Sequence, residues 1–324
     1  MQKQILTISL LTTALMHAGL CAAQADNYPT KSVRVIAPFP PGGSVDTVGR
    51  LVAARLSESY GQTFVIDNRS GASGNIGMEI AANSPGDGYT LVVNTVPLVT
   101  NQFLYKKVPY DVLRDFVPVS LLTSTATALI VHPSLPAKNV RELIALAQSR
   151  GGAALNYGGA GAGTNPHIAG ELFNYLAKTN IQVIHFKGGG PAMIAALSGE
   201  ISIGFPALPD TLPHVRAGKL RALGVTSAKR AQQLPDVPVI ADTLPGYEFT
   251  TWQGLLAPKN TPRAIAVSLS ERIKKSLSAP EHVKRFNDSG LDIIAGTPDE
   301  FAAHLKKEVE KWGKVIKERG MRAE

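Results

Sequence analysis

Along the chain, short β-branched runs alternate with helix-length amphipathic segments almost throughout, which predicts an α/β architecture with mainly parallel sheets. Strands are expected at 33–37, 64–67, 90–93, 129–132, 154–157, 182–185, 201–205, 221–226 and 254–257. Helices are expected at 44–60, 75–82, 140–148, 165–177, 191–197, 209–217, 262–277, 280–287 and 298–318. Five of these helices open on a proline (Pro191, Pro209, Pro262, Pro280 and Pro298), at the position where a missing N–H costs nothing. Segments 122–127 and 247–252 read as connectors between two lobes. With both as crossings, residues 26–125 and 250–324 make a first, discontinuous lobe and 126–249 a second.

The N-terminal pattern differs from the rest. Lys3 precedes an apolar run over residues 5–20, and "AQA" closes at Ala25, which reads as a cleaved secretory signal. A lipoprotein anchor at Cys21 is disfavoured by Leu20 before it, where a small residue is usual. Cys21 is the only cysteine and leaves with residues 1–25, so the mature chain holds no disulfide and offers no thiolate. Its stability comes from packing. The net charge of +8 falls by one with Lys3, and the basic residues are scattered except in the C-terminal helix, where Glu308, Glu310 and Glu318 interleave with the lysines. That pattern suits a solvated helix face rather than a nucleic-acid surface.

Candidate chemistry concentrates in three turns: "PFPPGGSVD" (38–46), "YGGAGAGTNPH" (157–167) and "HFKGGGPAM" (185–193). Each runs from a strand through glycines into a helix, so each aims unsatisfied N–H groups and a positive dipole end at whatever sits above the strands. That is a seat for an anion. Neither a P-loop lysine nor a complete dinucleotide fingerprint accompanies the glycines, which excludes a nucleotide site as the first reading. The plainer alternative is that the glycines only permit tight turns. Ser44 and Thr164 stand at helix entrances, as caps or as ligand donors. Asp46 reads as a fixer of the first loop's geometry, since a second carboxylate beside a bound anion would repel it. His167 is a possible donor, Phe39 and Trp252 are possible pocket walls, and Lys187 could attract a second carboxylate. No "GxSxG" elbow, metal-ligand histidine spacing or paired acidic motif appears, so a binder fits better than an enzyme, and no metal or cofactor is expected.

In these residues the sequence resembles the periplasmic solute-binding proteins of tripartite tricarboxylate transporters, the Bug family. The resemblance spans the mature chain: "YPTKSVRVIAPFPPGGSVDTVGRLVAARL", "NRSGASGNIGMEIAANSPGDGYTL", "LNYGGAGAGTNPHIAGELF", "FKGGGPAMIAALSGEI", "LPHVRAGKLRALGVTSAKR" and "LPDVPVIADTLPGYE". It implies an α/β, type II periplasmic-binding fold whose two lobes close on a ligand carboxylate. By position it assigns Phe39, Gly43, Ser44 and Asp46 to the first-lobe turn, and Thr95 to the loop after the strand at 90–93. Gly161, Ala162, Gly163, Thr164 and His167 fall to the second-lobe turn. Two departures stand out. Val45 replaces a frequent hydroxyl residue, and Pro206, followed by Ala207, replaces a frequent aspartate that meets polar or cationic parts of ligands. An amino group would lack that partner, so a di-, tri- or aromatic carboxylate without an amine is favoured. The implied setting is the periplasm, with a monomer handing its ligand to a membrane permease. The alternative partner is a sensor kinase. An exported hydrolase on the same fold finds no support in the residues.

Overall fold

The computed structural model describes residues 28–149, 155–186, 188–288 and 290–323. The signal segment with Cys21, Ala154 and Lys187 lie outside them. The first strand, β1 (Val33–Ala37), ends where Pro38 begins the proline and glycine cluster, and α1 (Ser44–Tyr60) starts directly after Gly43. The chain continues through β2 (Phe64–Asn68), α2 (Asn75–Ala82), β3 (Thr90–Asn94), α3 (Pro97–Leu104) and β4 (Phe116–Ala126). It then builds β5 (Ala128–Val131), α4 (Val140–Gln148), β6 (Asn156–Gly159), α5 (Asn165–Ala177), β7 (Gln182–His185) and α6 (Gly189–Ser198). Next come β8 (Ile203–Gly204), α7 (Leu208–Arg216) and β9 (Arg221–Val225). It closes with β10 (Thr250–Pro258), α8 (Arg263–Leu277), α9 (Pro280–Asp288), β11 (Asp292–Ile293) and α10 (Pro298–Arg319).

Two sheets result, ordered β11-β4-β10-β3-β1-β2 and β7-β6-β8-β5-β9. The expected parallel pairing holds for β1 with β2 and β3, and for β6 with β7 and β8. The sheets are nevertheless mixed rather than mainly parallel. β10 runs antiparallel to β3 and β4, and β5 runs antiparallel to β8 and β9. The cause is the crossing itself: β4 leaves the first sheet straight into β5, and β10 returns beside β4, so outgoing and incoming chain lie antiparallel. The expected connectors are therefore largely strand, with 122–126 belonging to β4 and 250–252 to β10.

At the crossing, Thr127 N–H donates to Thr226 Oγ1 at 2.9 Å, Thr226 N–H donates to the Thr127 carbonyl at 3.0 Å, and Phe249 N–H donates to the Thr226 carbonyl at 2.9 Å. These bonds tie outgoing and incoming strands where they leave the first sheet. One apolar core joins the two bodies: Ile36, Val92 and Trp252 belong to the same cluster as Leu129, Tyr157 and Phe205. The C-terminal helix α10 buries Phe301, Leu305, Trp312, Val315 and Ile316 in it. Its far end reaches α5 through Arg319 Nε to Glu171 at 3.0 Å and Tyr175 Oη to Glu318 at 2.6 Å. A second cluster lies under α1 and α8, on the first sheet, and a third under α6 and α7, on the second. No helix among the described residues is long and apolar enough to cross a membrane.

Candidate functional site

The first glycine turn is held from inside. Gly42 takes a left-handed φ of +83°, a conformation that side chains with a Cβ rarely adopt, and its N–H donates to Asp46 Oδ2 at 2.9 Å. Arg50 Nε donates to the same oxygen at 2.9 Å, and Asn68 Nδ2 donates to Asp46 Oδ1 at 2.8 Å. The Arg50 guanidinium, with Gly42 and Asn68, holds this buried carboxyl down at about 2 against the desolvation that opposes it. Gly43 is the N-cap of α1 and offers no side chain, so the first-turn N–H groups of α1 have no intrahelical acceptor.

The second turn repeats the device. Gly163, at φ +74°, donates its N–H to Nδ1 of His167, four residues on, at 3.0 Å. His167 is buried, with its ring edge-on to His185 at 4.9 Å. Burial, and then the neighbouring His185, lower its pKa to about 4, so the ring is neutral at pH 7 and Nδ1 accepts. Thr164 is the N-cap of α5 and makes no side-chain cap bond; its hydroxyl donates instead to the Gly161 carbonyl at 2.7 Å. A Cβ on Gly163 would lie 2.9 Å from Leu104 Cδ1, so α3 of the first body presses on this turn.

Between the two sheets lies a cleft of about 1120 Å³. Gly42, Gly43, Ser44 and Thr47 line it from one side, and Ala160, Thr164, Asn165 and Pro166 from the other. The third turn contributes Gly189 and Gly190, and Pro206 lies beyond β8. Helices α1, α5, α6 and α7 thus all begin at its walls. Among the described lining residues none is lysine or arginine, so positive potential there comes from helix ends and N–H groups.

Of the eleven residues singled out by sequence, Gly43, Ser44, Thr164 and Pro206 line the cleft. Asp46 and His167 stand behind the turns as internal acceptors, so His167 holds a glycine loop where a donor to the ligand was expected. Gly161, Ala162 and Gly163 shape the second turn without lining the cavity, and the Gly163 N–H is already taken. Phe39 packs toward Gly74, and Thr95 is buried near the end of β3; neither lines the cleft. Trp252 is core, its Nε1 donating to Glu308 at 3.0 Å.

The sequence reading missed the crossing strands' contribution: Thr125, Thr127, Thr251 and Gln253 all line the cleft. It also missed Asn165, whose buried Oδ1 has no partner among the described residues. Asp210 and His214, one turn apart on α7, add the only charged-type side chains among the described lining residues. Pro206 does leave its own position without an acid, but Asp210 puts a carboxyl in the same wall four residues on. Its surroundings raise its pKa through desolvation, with His214 opposing.

The family model described as "Tripartite tricarboxylate transporter family receptor" matches residues 48–321. Protein BugT of Bordetella pertussis is 36% identical over 320 residues, covering 97% of each chain. Among solved structures, R. palustris Rpa4515 with adipate is 37% identical with a TM-score of 0.79, over 91% of this chain and 99% of that one. MatC (Rpa3494) from Rhodopseudomonas palustris with bound malate is 30% identical with a TM-score of 0.76, over 89% and 100%. The chain belongs to the tripartite tricarboxylate transporter receptor family, the Bug-type periplasmic solute-binding proteins.

Proposed function

We propose that the protein, exported and cleaved after Ala25, captures one small carboxylate between its two glycine turns and, as a monomer, delivers it to the permease of a tripartite transporter. One observation carries this reading: helix entrances from two different sheets, Gly43–Ser44 and Thr164–Asn165, face one cleft that offers N–H groups without a basic side chain among its described lining residues. A carboxylate bridging them contacts both lobes at once, so it favours the closed arrangement by its differential contacts. The adipate and malate held by the two similar R. palustris proteins support the carboxylate class. Pro206 supports a ligand without an α-amine, since an ammonium beside the bound carboxylate finds no acid at that position; Asp210 lies a helical turn further along.

Calorimetric titration of the mature protein with small carboxylates and their primary amides tests the reading. Saturable binding of acids, with the matching amides bound at least tenfold more weakly, is expected. Equal binding of acid and amide, or no binding of either by folded protein, overturns it.

A further inference from the structure

Resting on that reading, we infer that the strands crossing between the bodies form a second subsite in the cleft: Thr125, Thr251 and Gln253 take an oxygen acceptor on the body of the ligand, whether a carbonyl, a hydroxyl or a further carboxylate. The register builds it. Thr125 on β4 pairs with Thr251 on β10, and Thr123 pairs with Gln253, so the side chains at 123, 125, 251 and 253 share one face of an antiparallel ladder. Ser124 and Trp252, the pair between them, take the opposite face, where Trp252 packs in the core.

Gln253 is 1% exposed, Thr125 3% and Thr251 5%, yet each keeps bonding capacity to spare. The Thr123 hydroxyl donates to Gln253 Oε1, which fixes the amide and leaves Nε2 without an acceptor among the described residues. Neither the Thr125 nor the Thr251 hydroxyl bonds to a described residue. Thr127, the next threonine on the crossing, differs, because its hydroxyl already donates to Thr226 Oγ1 at 3.0 Å. The free groups of Thr125, Thr251 and Gln253 are not sealed in the core as Thr95 Oγ1 is. All three residues line the cleft, so the little surface they keep opens there. A buried polar group without a partner costs free energy, and valine would suit either threonine position in such a ladder without that cost. A ligand oxygen supplies the missing partner. Nε2 can only donate, and each hydroxyl can turn to donate as well, so the matching group is an acceptor. The glycine turns hold the carboxylate end, and this face of the crossing strands reads what else the ligand carries.

The test is calorimetric titration of the mature protein with straight-chain acids of four to eight carbons, and with the hydroxy acids, the oxo acids bearing a carbonyl at C4 or beyond, and the α,ω-diacids of the same lengths. At least one oxygen-bearing acid should bind about tenfold more tightly than the plain acid of its length. The double variant Thr125→Val/Thr251→Val should cut that advantage about fivefold and leave the plain acid within about twofold of wild type. It should melt no lower than wild type, since it removes hydroxyls that have no partner among the described residues. Gln253→Met should cut the same advantage. No advantage for any oxygen-bearing acid, or one that both variants leave unchanged, overturns the inference while leaving the carboxylate receptor intact. A double variant that melts well below wild type assigns the hydroxyls to structure and also overturns it. Folded protein that binds none of these acids defeats both readings.

Discussion

Asp46→Asn is the sharpest perturbation of the first turn, because it keeps shape and removes charge. Three N–H donors converge on the native carboxylate: Gly42 and Arg50 on Oδ2, Asn68 on Oδ1. An asparagine has one acceptor oxygen. Placed to serve Gly42 and Arg50, it turns its own NH2 toward the Asn68 NH2. Asn68 cannot invert to compensate, because its Nδ2 also donates to the Phe39 carbonyl at 3.1 Å and its Oδ1 accepts from Arg50 at 3.1 Å. One charge-assisted bond is lost and the remaining two are weakened; Arg50 is 54% exposed, so its share is screened by solvent. The expected cost is about 2–3 kcal/mol of unfolding free energy at pH 7, read as a lower urea midpoint.

The same variant has a pH signature. The native carboxyl is depressed from 3.8 to about 2, so its stabilisation is present above the unfolded value and is lost as pH falls from about 4 toward 2. D46N lacks that component and should show a shallower acid limb. Because Gly42 loses part of its anchor, carboxylate affinity should also fall. A variant with wild-type midpoint, acid limb and affinity would show that the carboxylate network does not hold the turn.

Three further outcomes follow from the same geometry. Folded His167 has a pKa near 4 against 6.5 when exposed, so the unfolded chain takes the proton first; stability should fall by on the order of 3 kcal/mol as pH drops from about 6.5 to 4. His167→Gln should flatten part of that slope, leaving the share from His185 and His304, and an unaltered slope would refute the assignment. Ser44→Ala, which removes a hydroxyl at the cleft wall, and Thr164→Val, which releases the Gly161 carbonyl, should each weaken carboxylate binding by about 1–3 kcal/mol. Calorimetry showing both variants at wild-type affinity removes these side chains from the account. Hexanoate should bind more tightly than 2-aminohexanoate, and the reverse order would refute the use made of Pro206.

Much of the fold was legible where the chain punctuates itself. The bounds of α1, α2, α4 and α5 follow from glycine, proline and capping residues at their ends, and β1 and β7 from β-branched runs. Three elements were hidden: β4, α3 and the two-residue edge strand β11, too short to show a pattern. β4 buries Ser120, Thr123 and Thr125, whose polarity masks a buried strand. Two of these hydroxyls find partners far along the chain: Ser120 Oγ donates to the Gly296 carbonyl at 2.7 Å and Thr123 Oγ1 donates to Gln253 Oε1. The short helix α3, "PLVTNQFL", is buried on nearly every side and shows no amphipathic stripe. The glycine turns pointed to the cleft that they line, but not to which of their N–H groups remain free. That depends on Asp46 and His167 folding back by one turn, which spacing alone does not show. Asp210 escaped notice because its cleft position follows from β8 pairing beside β6, which brings the start of α7 to the second glycine turn and is not visible in the spacing of α7 itself.

The most direct measurement is a crystal structure of the mature protein grown with a small carboxylate that calorimetry shows it to bind. The carboxylate should lie between the two entrances, its oxygens within about 3.2 Å of N–H groups at Gly43 or Ser44 on one side and at Asn165 on the other. A carboxylate bound by one turn alone, or seated at a lysine outside the cleft, would contradict the central claim.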